Sequence, residues 1–333
     1  MQWMKRGAAA VLCAALALTL TACGARSAEP IQKTNLMLDT VVTIALYDWD
    51  DTATLDLAFD EIARLEALLS VEKEGSDLDR LAKAAGQEWV TIAPETEEVL
   101  RKAKEYAQLS GGLFDVTSGP LIALWGIHDG QGHYPTQEEL AQVLPLIDDD
   151  DLLVEPGRAY LAREGMVANL GAIAKGYIAD RVKDLLVEQG VEHAVLDLGR
   201  NILLIGGKSD GTDFRIGVQD PNAEEGALIA KVAASDKSLV TSGVYERKFT
   251  YEGKTYHHIL DPTTGFPVEN DVASVTILSD ESVDGDALST TCLLLGQERG
   301  MALIERLPDT EALFVDKEGQ ITMSTGFAAY LVD

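Results

Sequence analysis

Apolar positions along the chain recur with two different spacings, and the spacing changes from region to region. Residues 37–47 (MLDTVVTIALY) are rich in β-branched side chains and predict a strand. Over residues 54–69, Leu55, Ala58, Ile62, Leu65 and Leu69 recur every three or four positions, which predicts an amphipathic helix. A second helix is predicted over 96–109, after Pro94 and stopped by Ser110-Gly111-Gly112, because glycine takes the left-handed conformation that ends helices. Short strands are expected around Leu153 and Val167, after an acidic turn at 148–151. Ile178, Val182, Leu185 and Leu186 share a face of a third helix, 176–188. Residues 194–279 read as successive strands separated by Gly, Asp-Pro or Asn turns, and further helices are predicted over 284–295 and 298–307. No internal repeat or low-complexity linker divides this pattern. Helices flanking a strand-rich middle predict one α+β domain rather than two separable ones.

The first residues follow a different logic. Lys5 and Arg6 precede an apolar run, 8–20, shorter than the roughly 20 residues a membrane span needs. The run ends Leu20-Thr21-Ala22-Cys23, which resembles a bacterial lipobox. The expectation is a signal peptide over 1–22, lipid on Cys23, a polar tether over 23–34 and a catalytic domain over 35–333. The protein would then sit lipid-anchored on the extracytoplasmic face of the cell membrane. An ordinary signal peptide with a coincidental cysteine is the alternative. Cys13 lies in the segment that would be removed, and Cys292 sits alone in an apolar run. Cys292 therefore reads as a small buried hydrophobe, and no disulfide is expected in the mature domain.

Composition narrows the function. A 333-residue chain that is 46% hydrophobic has ample core. Its 27 Lys+Arg against 55 Asp+Glu, a formal charge of -28, lack the basic footprint that general nucleic-acid binding requires. The same balance argues against charge-driven adsorption on anionic lipid. A phosphorylated ligand would need a metal ion or a local positive patch.

Three motifs could supply that chemistry. Residues 169–177, NLGAIAKGY, run from a strand through small residues into a helix, a turn that can present backbone N–H groups to an anion. This is not a Walker A loop, since Lys175 precedes the second glycine and no Lys-Ser/Thr follows; a plain packing turn is the other reading. In Asp286-Ala287-Leu288-Ser289-Thr290, a carboxylate and a hydroxyl four residues apart share a helix face. Both are hard oxygen donors suited to Mg²⁺, although Asp284 or Asp286 could instead cap a helix. The pair His257-His258 has neither an HExxH motif nor a Cys/His set to complete a zinc site. Alternation along a strand predicts one of them facing in and the other facing solvent. No G-x-S-x-G elbow supports a serine hydrolase.

In this order, the motifs resemble the ApbE family of flavin transferases, also called FAD:protein FMN transferases. The resemblance runs from about Met37 to the C-terminus. It rests on Met37-Leu38-Asp39-Thr40, FDVTSGPL at 114–121, GAIAKGY at 171–177, TSGVYER at 241–247, HILDPTTGFPV at 258–268 and DALST at 286–290. It implies a single α+β domain of T-fold-like type, a mixed sheet with flanking helices. It further implies Mg²⁺-dependent transfer of FMN from FAD onto a Thr or Ser hydroxyl of an acceptor protein, with release of AMP. Acceptors of the family include flavoprotein subunits of sodium-pumping NADH:quinone reductase and Rnf-type complexes, and extracellular flavin reductases. Carried over by position, the metal ligands would be Asp286, Thr290 and the Ala172 carbonyl. FAD would meet Met37, Asn169, Lys175 and His258, with Trp125, Gly126 and Ile127 lining the site, and His258 or Asp261 would act as general base. Many members carry Asp where this chain has Asn169, which bears on the contact made there. A Mg²⁺-dependent FAD pyrophosphatase would use the same residues, with water in place of the acceptor hydroxyl. A lipid-anchored solute-binding protein shares the lipobox and size but does not account for the Gly/Lys and Asp/Thr motifs.

Overall fold

The first predicted strand pairs with the segment just before it. In the computed structural model, which describes residues 29–127, 132–224 and 226–333, strands β1 (Ile31–Met37) and β2 (Thr40–Leu46) pair antiparallel. Leu38 and Asp39 join them with φ of 54° and 56°, the two left-handed residues of a tight hairpin. The strand predicted over 37–47 is therefore the second half of a hairpin. Residues 31–34, expected in the tether, belong to β1. The expected signal segment, Cys23 and the first part of the expected tether lie outside the described residues.

The hairpin opens an eight-stranded sheet that continues through β6 (Ala194–Leu198), β7 (Asn201–Ile205), β10 (Ser238–Gly243), β13 (Val272–Ser279), β14 (Glu311–Asp316) and β15 (Ile321–Met323). Every ladder in it is antiparallel. A small sheet orders β3 (Val90–Thr91), β5 (Arg158–Leu161) and β4 (Leu152–Glu155); two ribbons pair β8 (Phe214–Gln219) with β9 (Leu228–Ala234), and β11 (Lys248–Tyr251) with β12 (Lys254–His257). The strand expected near Val167 reduces to one parallel bridge with Ser118.

Both faces of the large sheet are covered, which the middle strand β13 records: all eight of its residues are buried. Ile277 faces a core shared with helices α1 (Ala53–Leu69), α3 (Pro94–Ser110), α6 (Ala174–Glu188) and α7 (Ser282–Leu295). Its neighbour Leu278 faces a second core with Phe214, Val232 and Phe327, under the β8–β9 ribbon. A strand buried on both faces loses the apolar–polar alternation of a half-buried one. Helix α3 starts at Pro94 and ends on Gly111 at φ 68°, as its flanks predict. Cys292, on α7, is fully buried, as expected for a small hydrophobe.

Three seven-residue helices were not legible in the pattern: α2 (Asp77–Lys83), α4 (Gly119–Trp125) and α5 (Gln137–Val143). Two turns hold too few repeats for periodicity to show. The last helix, α8 (Gln297–Ile304), packs on α7. No helix among the described residues is long and apolar enough to cross a membrane.

Candidate active site

The site forms where the start of α6 meets α7. A Cβ at Gly176 would collide with the Ser282 carbonyl oxygen and lie 2.7 Å from Val283 Cα, so this close approach requires glycine. The approach lets the Gly176 N–H donate to Asp286 Oδ2 at 2.9 Å. Lys175 Nζ stands 3.4 Å from the other oxygen of the same carboxylate. Asp286 is 2% exposed and lies inside α7, so it does not cap that helix. Asp284 is no cap either: it accepts from the Tyr106 hydroxyl at 2.6 Å and pairs with Lys102 at 2.7 Å.

The Gly-rich turn is held from within. Asn169 Oδ1 accepts the Gly171 N–H at 2.8 Å, and the Leu170 carbonyl accepts those of Ile173 and Ala174. Position 169 therefore serves as an acceptor, a role that Asn fills as Asp would. Opposite, the FDVTSGPL segment forms a wall. The Asp115 carboxylate accepts from Thr117 N and Oγ1 at 2.7 Å and from Asp149 N at 3.0 Å, while burial pushes its carboxyl up. Gly119 packs against Val167, where a Cβ would meet the Val167 carbonyl oxygen.

His258 donates from Nδ1 to the Arg247 carbonyl at 3.2 Å, which places the basic lone pair of the neutral ring on Nε2. Its neighbour His257 points elsewhere, with Nε2 3.2 Å from the Val268 carbonyl. Neither histidine is exposed, contrary to the expectation that one would face solvent. Among the described residues no group of three His, Cys, Asp or Glu is placed to hold a metal. Burial lowers His257 to about 4. A depressed histidine stabilises the fold fully above its ordinary value near 6.5 and loses that contribution as pH falls towards 4. Wild type should thus lose more unfolding free energy between pH 7 and 4.5 than His257→Gln, measured by urea denaturation. Equal losses would contradict this.

These elements enclose a cavity of about 690 Å³ lined by Gly126, Asn169, Ala172, Lys175, His258, Asp286 and Thr290, with the Leu38–Thr40 turn at one side. Four residues expected at the site are not in its lining. Met37 packs on the core just before the lining turn. Trp125 is fully buried behind the wall, its indole N–H donating to the Gly265 carbonyl at 2.8 Å and its ring edge-on to Tyr134, Phe249 and Phe266. Ile127 belongs to the same satellite core. Asp261 holds its own turn, accepting from Thr263 N at 2.8 Å and Thr263 Oγ1 at 2.6 Å. Of the two candidate bases, only His258 lines the cavity.

Sequence reasoning missed Arg200 and Glu246. Gly199 and Arg200 form the left-handed turn between β6 and β7, with both N–H groups donated to Asp197. From there Arg200 reaches Glu246 at 3.3 Å and lies over the Tyr245 ring. Burial pushes Glu246 up. With Arg247, the residues lining the cavity include three basic (Lys175, Arg200, Arg247) and six acidic ones (Asp39, Glu66, Glu72, Asp115, Glu246, Asp286). The cavity itself thus remains acid-rich.

The model of the ApbE family matches residues 38–314. The FAD:protein FMN transferase of Klebsiella pneumoniae (strain 342) is 35% identical over 292 residues, covering 87% of this chain and 90% of that protein. That of Treponema pallidum (strain Nichols) is 33% identical over 324 residues, covering 91% and 90%. The crystal structure of the ApbE protein from Thermotoga maritima superposes with a TM-score of 0.84 at 28% identity, over 92% of this chain and 100% of that one. The flavin transferase ApbE from Vibrio cholerae gives 0.82 at 27% identity, over 91% and 99%. The family-model match, the identity over most of the chain and the shared fold lead to one conclusion: this chain belongs to the ApbE family.

Proposed function

We propose that the protein is a transferase that moves FMN from FAD onto a Thr or Ser hydroxyl of an acceptor flavoprotein and releases AMP. The carrying observation is the convergence of Ala172, Lys175, His258, Asp286 and Thr290 on one cavity, in a chain whose relatives at 35% and 33% identity are FAD:protein FMN transferases. Each of those residues then has a task. Lys175 offers a positive charge to the pyrophosphate. The acceptor hydroxyl attacks the phosphorus on the FMN side, the bond to the AMP phosphate breaks, and His258 Nε2 takes the hydroxyl proton. Positioning and charge stabilisation carry most of such a reaction.

The residues present fit a hard divalent cation. Asp286 and Thr290 stand one helical turn apart and line the same cavity as Ala172, an all-oxygen set if the Ala172 carbonyl contributes. Acidic residues outnumber basic ones in the lining, so a pyrophosphate bound there would gain from added positive charge. Bound by Asp286, Thr290 and the Ala172 carbonyl, Mg²⁺ would supply Lewis-acid stabilisation of the phosphoryl oxygens.

AMP release measured with and without acceptor tests the reading. AMP should appear in step with acid-precipitable flavin, and only when acceptor is present. Equal AMP release without acceptor, and no covalent flavin with it, would make the protein an FAD pyrophosphatase instead.

The lipobox-like sequence supports a lipid anchor at Cys23 on the extracytoplasmic face. The acceptors would then be exposed there, such as subunits of sodium-pumping NADH:quinone reductase or Rnf-type complexes, or extracellular flavin reductases. Cys23→Ala should abolish membrane retention and leave the transfer rate of the purified protein unchanged. Full retention of that variant in the membrane fraction would reject the anchor.

A further inference from the structure

Helix α7 starts without a cap of its own, because Glu281 before it makes no side-chain bond to its first turn. The leading N–H groups of a buried helix need partners. Asp180, in the middle of α6, provides them: one carboxylate oxygen accepts from Ser282 N and the other from Val283 N, each at 2.8 Å. Asp180 is 4% exposed. The Ser282 hydroxyl is held in turn by Asn201 Oδ1 on β7 at 2.6 Å. One turn further along α7, the bond runs the other way, from Gly176 N on α6 to Asp286. The two helices are thus joined by reciprocal rungs, each a carboxylate of one on the backbone of the other. Sliding α7 by a single residue, about 1.5 Å, would break both rungs and displace Asp286 and Thr290 together.

We infer that Asp180 is a positioning residue, which sets the register of the Asp286–Thr290 helix against Ala172 and Lys175 and so the geometry in which the cavity takes a divalent cation. This rests on the metal reading proposed above. A local cap would stabilise a helix and nothing more. Asp180 instead comes from the helix that carries Lys175 and begins two residues after Ala172. Burial pushes its carboxyl up to about 7 against the two N–H bonds that favour the charge.

The test is a Mn²⁺ titration of the purified, FAD-free, full-length protein, followed by electron paramagnetic resonance. Asp180→Asn keeps the side chain's size but turns an N–H towards a donor. It should bind Mn²⁺ on the order of tenfold more weakly than wild type, with an unchanged circular dichroism spectrum. Asp180→Ser, which retains one acceptor in a smaller side chain, carries the same expectation if the Asn variant does not fold. Asp286→Ala serves as the reference for a lost site. A folded Asp180 variant with wild-type Mn²⁺ affinity and only a lower melting temperature would overturn the positioning role and leave the metal site standing. A wild type that binds no Mn²⁺, or an Asp286→Ala variant that binds it equally well, would overturn the metal reading and this inference with it.

Discussion

Asp286→Ala is expected to fold and to lose FMN transfer by on the order of a thousandfold, about 4 kcal/mol of barrier. The carboxylate is buried in the cavity wall with Lys175 as its nearby cation, and it stands one helical turn from Thr290. Its removal takes away the one anionic ligand of the proposed set. It also leaves the buried Gly176 N–H without its acceptor, which costs about 1–3 kcal/mol of stability. Asp286→Asn separates the two effects. An amide oxygen can still accept from Gly176, so stability should largely return while activity stays low. High Mg²⁺ should rescue Asp286→Ala in part, and Thr290→Val should show a milder loss, since it deletes a neutral ligand. Steady-state rates across a Mg²⁺ series measure all of these. An Asp286→Ala enzyme transferring FMN near the wild-type rate would reject the site.

Lys175→Ala should weaken FAD binding by about 1.5–3 kcal/mol, the range for a hydrogen bond to a charged group, or roughly ten- to a hundredfold in affinity. Its side chain is 30% exposed, so the fold should survive. The pairing with Asp286 adds a sharper expectation. Without Lys175 the carboxylate loses a competing cation, so the Mg²⁺ concentration for half-maximal rate should not rise while the KM for FAD does. A variant that binds FAD normally would reduce the Gly-rich turn to a packing feature.

The parts of the fold visible in the sequence are those whose signal is local and long. Helix α6 has enough turns for its apolar face to repeat, α7 shows as a long run of small and apolar residues, and the small residues at 171–176 mark the turn that enters α6. The β1–β2 turn escaped because Leu38-Asp39 carries none of the glycine or asparagine that flags a left-handed pair. β1 itself alternates half-buried and exposed positions with too few apolar residues to stand out.

At the site, the motifs named which segments converge but not which side chain of each faces the cavity. Trp125 and Ile127 come from a lining segment yet face the satellite core behind it. Asp261 follows His258 closely in sequence, but its carboxylate is consumed by its own turn. Arg200 and Glu246 were illegible for another reason: they are 46 residues apart and meet only because β7 pairs with β10. Asp180 reads locally as an ordinary polar residue within α6, and only the packed α7 shows what it accepts.

The central claim is covalent flavin transfer, and in-gel fluorescence tests it most directly. Purified full-length protein, FAD, Mg²⁺ and a candidate acceptor flavoprotein subunit are incubated, denatured and separated by electrophoresis. The expected result is a fluorescent band at the acceptor's mobility, lost when the acceptor's flavin-bearing Thr is replaced by Val or when the metal is chelated. FAD converted to FMN and AMP with no fluorescence surviving on any tested acceptor would contradict it.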